Sequence, residues 1–163
     1  MHWLVKLVGD YFFLLSLAIV AVFWFLAKKD EKLAIVWQLL FGGAVALLLS
    51  TVASSLYYDT RPFVTEHIVP IIAHSADNGF PSDHTLLTAF LGFTIYLHSR
   101  VVGGILLLIA LLVGVARVAA HIHHPIDIAG SFVIAALSVA FVQLLAFGWR
   151  RAHPASARSQ TPA

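Results

Sequence analysis

The chain contains no cysteine. Disulfides and thiolate metal sites are therefore excluded. Charge is scarce as well. Asp, Glu, Lys and Arg make up 11% of the residues, where a soluble domain carries roughly 25%. The ten basic residues form no single patch, so the pI near 9.2 does not describe a nucleic-acid surface and no nucleic-acid partner is expected. No internal repeat is visible, and no low-complexity block interrupts the chain before its last residues. What remains is apolar: 60% of the residues are hydrophobic and the mean hydropathy is +0.91. These values define an integral membrane protein, and 163 residues make one domain.

Residues 1–10 are mixed, with Trp3 as an interfacial anchor. Five apolar runs follow, over 11–27, 33–52, 82–98, 101–120 and 127–149. Each is near the roughly 20 residues that a membrane helix needs. The expected fold is therefore all-α, a polytopic bundle of about five transmembrane helices in a single domain over 1–149. The first run has only Lys6 ahead of it and its positive cluster behind it, which argues for an uncleaved span. Residues 28–32 form a tight charged turn, and Gly42-Gly43 lets two helices approach closely. The tail, 150–163, is basic and rich in Pro, Ser and Ala, the composition of a disordered segment. Lys28, Lys29, Lys32, Arg100, Arg150, Arg151 and Arg158 fall at one end of the spans, and Lys6, Arg61 and Arg117 at the other. The positive-inside rule places the first group in the cytoplasm, so the N-terminus is expected outside and the C-terminus inside.

The polar segments that carry chemistry then share the outer face. Gly79-Phe80-Pro81-Ser82-Asp83-His84 reads as a helix N-terminus with a hydroxyl, a carboxylate and an imidazole. Free backbone N–H groups and the helix dipole make such a terminus an anion site. Arg117 stands in an otherwise apolar run. A charge there costs at least about 2.5 kcal/mol and marks a pathway or a ligand, unless it snorkels to the interface. His121, His123, His124 and Asp127 allow three readings. One is nucleophilic catalysis by an imidazole whose other nitrogen a carboxylate orients. Another is a metal site. The last is a set of histidines at a polar helix junction. Pro125 starts a helix, which leaves the contact between His123 and Asp127 open. Arg61 and Arg117 on one face would clamp a phosphate bidentately. With Ser82, and with His84 as general acid, that inventory suits phosphoryl transfer through a phosphohistidine.

These residues resemble the type 2 phosphatidic acid phosphatase superfamily of membrane lipid phosphatases. Its pattern has three blocks, Lys-x6-Arg-Pro, Pro-Ser-Gly-His and Ser-Arg-x5-His-x3-Asp. Here they read Arg61-Pro62, Pro81-Ser82-Asp83-His84, and Arg117 followed by His123 and Asp127. The lysine position holds Ser54, the glycine position Asp83, and the serine before the arginine is Ala116. The family usually has six spans. Arg-Pro-Phe with Phe-Pro-Ser-Asp-His looks like the bacitracin-resistance branch, the undecaprenyl-diphosphate phosphatases. The resemblance implies His123 as nucleophile, Asp127 as its orienting carboxylate and His84 as general acid. It implies Arg61, Ser82 and Arg117 as the phosphate cradle. It implies no metal and no cofactor, which counts against the metal reading. Asp83 is expected to turn away, cap the helix or tune His84. The implied activity is hydrolysis of undecaprenyl diphosphate at the outer face of a bacterial cytoplasmic membrane, with a polyprenyl or phospholipid phosphate and membrane lipids as partners. Alternatives are a phosphatase for phosphatidic acid or phosphatidylglycerol phosphate, an ion-coupled transport component, and a catalytically dead lipid-binding relative.

Overall fold

The structure is a computed structural model that describes residues 2–153. Among the described residues every regular element is a helix, apart from one isolated bridge between Thr60 and Asn78. α1 runs His2–Leu26. α2 (Lys29–Trp37), a π turn (Gln38–Gly42) and α3 (Gly43–Leu56) join into one rod. After a short α4 (Pro62–Thr65) come α5 (Asp83–Tyr96), α6 (Arg100–Ala119) and α7 (Pro125–Ala152). Four rods are long and apolar enough to cross a membrane: α1, Lys29–Leu56, α6 and α7. The fifth, α5, has only 14 residues and is about 21 Å long at 1.5 Å per residue.

Several boundaries differ from the sequence expectation: the second span lengthens to Lys29–Leu56, the third ends at Tyr96 and the last begins at Pro125. α1 begins at His2 and absorbs residues 2–10 as its first turns, because nothing in that stretch breaks a helix. The charged turn narrows to Ala27 and Lys28, since Lys29, Asp30 and Glu31 already lie in α2, where acidic residues suit the first turn. α7 continues through Arg150 and Arg151 to Ala152, and the expected tail lies outside the described residues from 154 on.

The packing is that of a membrane bundle. The surface carries Leu14, Phe25, Leu47, Leu108, Phe141 and Leu144, while Ser16, Thr85, Thr88, Thr94, Ser131 and Ser138 are fully buried. Apolar side chains face lipid, and small hydroxylated ones sit between helices, where they allow close approach. α5 is the hub and packs on α6, α7 and α1. Gly103 of α6 lies against the Tyr96 backbone so closely that a Cβ there would come within 2.4 Å of Tyr96 Cα. The π turn rotates Gln38 inward, where it donates to the Val139 carbonyl at 3.4 Å and accepts from Gln143 at 2.9 Å.

One end of the bundle is closed by residues 57–82. The segment folds back on the helix ends. Ile71 donates to the Ala120 carbonyl at 3.3 Å, and Ile72 is buried with Ala120 and Ile122. Asn78 holds the fold-back. Its amide donates to the Ser54 and Tyr57 carbonyls, and its oxygen accepts from the backbone N–H groups of Asp59 and Phe80. Gly79 follows at a close approach of chain segments. A Cβ there would stand 3.2 Å from Asp127 Oδ2 and 3.2 Å from the Asp59 carbonyl.

Candidate active site

All seven residues singled out in the sequence lie at this closed end. His123 comes from the turn between α6 and α7. His121, at φ 59, reverses the chain in the left-handed region that histidine tolerates better than most. The chain then directs Ile122 and His123 inward, and His123 is only 2% exposed. Its Nδ1 lies 3.2 Å from Asp127 Oδ2. Pro125 does not prevent this contact. Asp127 is the third residue of α7 and reaches back over the start of the helix, also accepting from the His124 backbone N–H at 2.8 Å. A carboxylate can only accept here, so Nδ1 carries the proton and Nε2 presents a lone pair. Arg61 Nη1 stands 3.3 Å from that Nε2.

Arg61, 5% exposed, is already tethered. Its Nε donates to Asp77 Oδ1 at 2.8 Å, Nη1 to the Ile122 carbonyl at 2.8 Å and Nη2 to the Asn78 carbonyl at 3.1 Å. Arg117 does not snorkel. It is 2% exposed and its Nη1 donates to the Gly9 carbonyl at 3.3 Å and to Asp10 at 3.5 Å. Ser82 is at the N-cap position of α5 without making a side-chain cap. Its buried hydroxyl instead accepts from Thr85 at 3.1 Å. His84, two residues further on, is half-buried with its ring edge-on to Phe13 at 5.0 Å. Asp83 is exposed and turns toward a small polar cavity of about 240 Å³ that it lines with Ser50, Ser54, Asp77 and Asn78. Ser54, at the family's lysine position, thus opens on carboxylates.

The histidine cluster does not converge. His121 is exposed and bonds Glu66 at 3.0 Å, away from His123. His124 turns to Asp59, with Nδ1 to Oδ2 at 2.6 Å. Asp59, His124 and Asp127 do offer ligand atoms within 4.8 Å of one another. Those atoms are committed to each other and to His123, so the donor set fits a hydrogen-bonded chain better than a cation. Asp127 Oδ1 is buried with no donor among the described residues.

Burial lowers the His123 pKa, and the positive charges of Arg117 and Arg61 add to this, against the pull of Asp127. Burial also lowers that of His74, whose ring lies 6.2 Å from His123. Asp59 is raised, chiefly by burial. Asp77 is held low by the Ser75 hydroxyl and Arg61. Asp10, Phe13, Asp59, His74 and Asn78 were missed in the sequence. Of these only Asp10 left a signal, as a carboxylate at the edge of an apolar run.

A helical membrane bundle that gathers two buried arginines, two histidines and a buried carboxylate at one end defines a class of phosphate-handling membrane proteins. The PAP2 superfamily matches residues 35–151, and the chain belongs to that superfamily. It is 33% identical over 131 residues to the bacitracin transport permease protein BcrC of Bacillus licheniformis, covering 80% of this chain and 64% of that protein. It is 33% identical over 93 residues to undecaprenyl-diphosphatase BcrC of Bacillus subtilis (strain 168), covering 57% of this chain and 48% of that one. The chain thus spans less than two thirds of the length of these relatives. Its fold is similar to the transmembrane PAP2-type phosphatidylglycerolphosphate phosphatase of Bacillus subtilis, with TM-score 0.58 and 25% identity over 88% of this chain and 73% of that one. It is also similar to Aquifex aeolicus LpxE, with TM-score 0.61 and 17% identity over 85% of this chain and 91% of that one.

Proposed function

We propose that this protein is a lipid phosphatase that hydrolyses undecaprenyl diphosphate to undecaprenyl phosphate at the outer face of a bacterial cytoplasmic membrane. The observation that carries the reading is the buried His123, oriented through Nδ1 by Asp127 and faced at Nε2 by Arg61. Nε2 attacks the terminal phosphorus. A P–N bond forms and the P–O bond to the lipid monophosphate breaks, with His84 giving its proton to the departing oxygen. Water then attacks the phosphohistidine, His84 takes the proton, and the P–N bond breaks to release phosphate. Arg61, Arg117 and Ser82 neutralise and hold the transferred group, the main task in phosphoryl transfer. Arg61 must give up its contact with His123 Nε2 as the phosphate arrives. No step needs a metal.

The BcrC relative named as an undecaprenyl-diphosphatase supports the diphosphate substrate. The similarity to a phosphatidylglycerolphosphate phosphatase supports a monophosphate lipid as the second reading. Transport, the activity named for the Bacillus licheniformis relative, is less well supported. The ionisable residues gather at one end of the bundle, whereas a transporter site lies near the membrane midplane. The test is phosphate release from undecaprenyl diphosphate, phosphatidic acid and phosphatidylglycerol phosphate by the purified chain, with and without EDTA. Preference for the diphosphate that EDTA leaves unchanged is expected. Preference for either monophosphate moves the assignment to the second reading, and loss with EDTA contradicts the metal-free mechanism.

A further inference from the structure

α1 precedes the family-matched stretch, which begins at residue 35, and carries none of the three motif blocks. Its first turns nevertheless form a wall of the site. Gly9 is buried, and a Cβ there would meet Ile72 Cδ1 at 2.8 Å and Arg117 Cγ at 3.9 Å. Its carbonyl and the Asp10 carboxylate both accept from Arg117 Nη1. Phe13, three residues further along, takes the ring of His84 edge-on. One helix therefore touches both the arginine and the imidazole on which phosphate transfer is proposed to depend.

A guanidinium has five N–H donors in a planar fork. In Arg117 the α1 contacts occupy Nη1 alone. Nε is buried with no partner among the described residues, and no hydrogen bond is made by Nη2 there either. An unpartnered buried donor on a charged group calls for a ligand. The Nε–Nη2 edge is one that takes two oxygens of a tetrahedral oxyanion side by side. A long side chain does not hold that edge unaided, and a buried cation needs a counter-charge.

We infer that Asp10 is a positioning residue of this site: with the Gly9 carbonyl it clamps Arg117 Nη1 so that the Nε–Nη2 edge faces the phosphate. The inference rests on the reading of Arg117 as a phosphate ligand. Asp10 itself lies outside the phosphate position and is about one-third exposed. Its negative charge adds nothing to ground-state binding of an anion. Its effect therefore falls on the transition state, where the geometry of the fork matters most.

The test uses the full chain in proteoliposomes, with undecaprenyl diphosphate for kinetics and orthovanadate binding, followed by thermal shift, as a readout independent of turnover. Asp10→Ala is expected to lower kcat and vanadate affinity each by about tenfold or more, with KM changing by less than about threefold. Asp10→Asn, which keeps an acceptor, is expected to fall between. In an Arg117→Lys background, Asp10→Ala is expected to cost no more than about a further twofold, because lysine has no fork to orient. Full kcat and vanadate affinity in Asp10→Ala, with Arg117→Lys impaired, overturn the inference and leave the phosphate reading standing. So does a loss that simply multiplies in the double variant. Arg117→Lys with full activity overturns the phosphate reading and the inference with it. If Asp10→Ala folds poorly, vanadate affinity of the folded fraction decides: unchanged affinity means that Asp10 only docks α1.

Discussion

To act as the proposed nucleophile His123 has to be uncharged, and its buried surroundings favour that state. Desolvation comes first, then the charges of Arg117 and Arg61, and together they hold its pKa below the ordinary 6.5. The Asp127 hydrogen bond works in the opposite direction without prevailing. In the proposed mechanism the neutral imidazole attacks, so the acid limb of the kcat/KM profile is expected below pH 6.5, and a limb at or above that value would refute this account of the nucleophile. The unfolded chain binds this proton at the ordinary value and the native chain does not, so His123 contributes stability above pH 6.5 that is lost as the pH falls. His84 carries a separate prediction. If His84 is the general acid proposed above, His84→Ala should lower kcat on a lipid diphosphate by about 10²- to 10⁴-fold. On p-nitrophenyl phosphate, whose leaving group needs no proton, the loss should be far smaller. Equal losses on both substrates would remove His84 from that role.

The helices show why some of this was legible in the sequence and some was not. Apolar runs of membrane length and the order of Arg61, Ser82 to His84, and Arg117 to Asp127 are local patterns, and the structure brings those residues to one end. Residues 2–10 were set apart because Lys6 and Asp10 break the apolar run, yet backbone hydrogen bonding in a helix does not depend on side-chain polarity, and α1 includes them. The partnerships of Asp10 with Arg117 and of Asp59 with His124 span 107 and 65 residues. Tertiary packing creates them, and no periodicity encodes them. Close approach of helices is equally invisible until it is seen. The neighbours Gly103 and Gly104 differ in this respect, one pressed against the Tyr96 backbone and the other with nothing within 4 Å of a Cβ. Gly103→Ala is expected to destabilise the protein by about 1–3 kcal/mol through overpacking of α5 on α6. Gly104→Ala should be neutral or stabilising by up to about 1 kcal/mol from helix propensity. Thermal unfolding of the two variants distinguishes them, and equal behaviour would contradict the α5–α6 packing.

For the molecule as a whole, the absence of cysteine that excluded disulfides also provides a clean test of orientation. Thr65→Cys, at the site end, and Lys29→Cys, at the other, both replace exposed residues. A membrane-impermeant thiol reagent applied to intact cells should label the first and reach the second only after lysis, as the positive-inside rule requires. The reverse pattern would turn the site toward the cytoplasm. The central claim is that the transferred phosphoryl group rests on His123. It is tested most directly by quenching the enzyme during turnover with undecaprenyl diphosphate labelled in its terminal phosphate. The account predicts a phosphoenzyme, stable to base and labile to acid, mapped to His123 and absent from His123→Ala. Phosphate release at the normal rate by His123→Ala, or a label on any other residue, would contradict it.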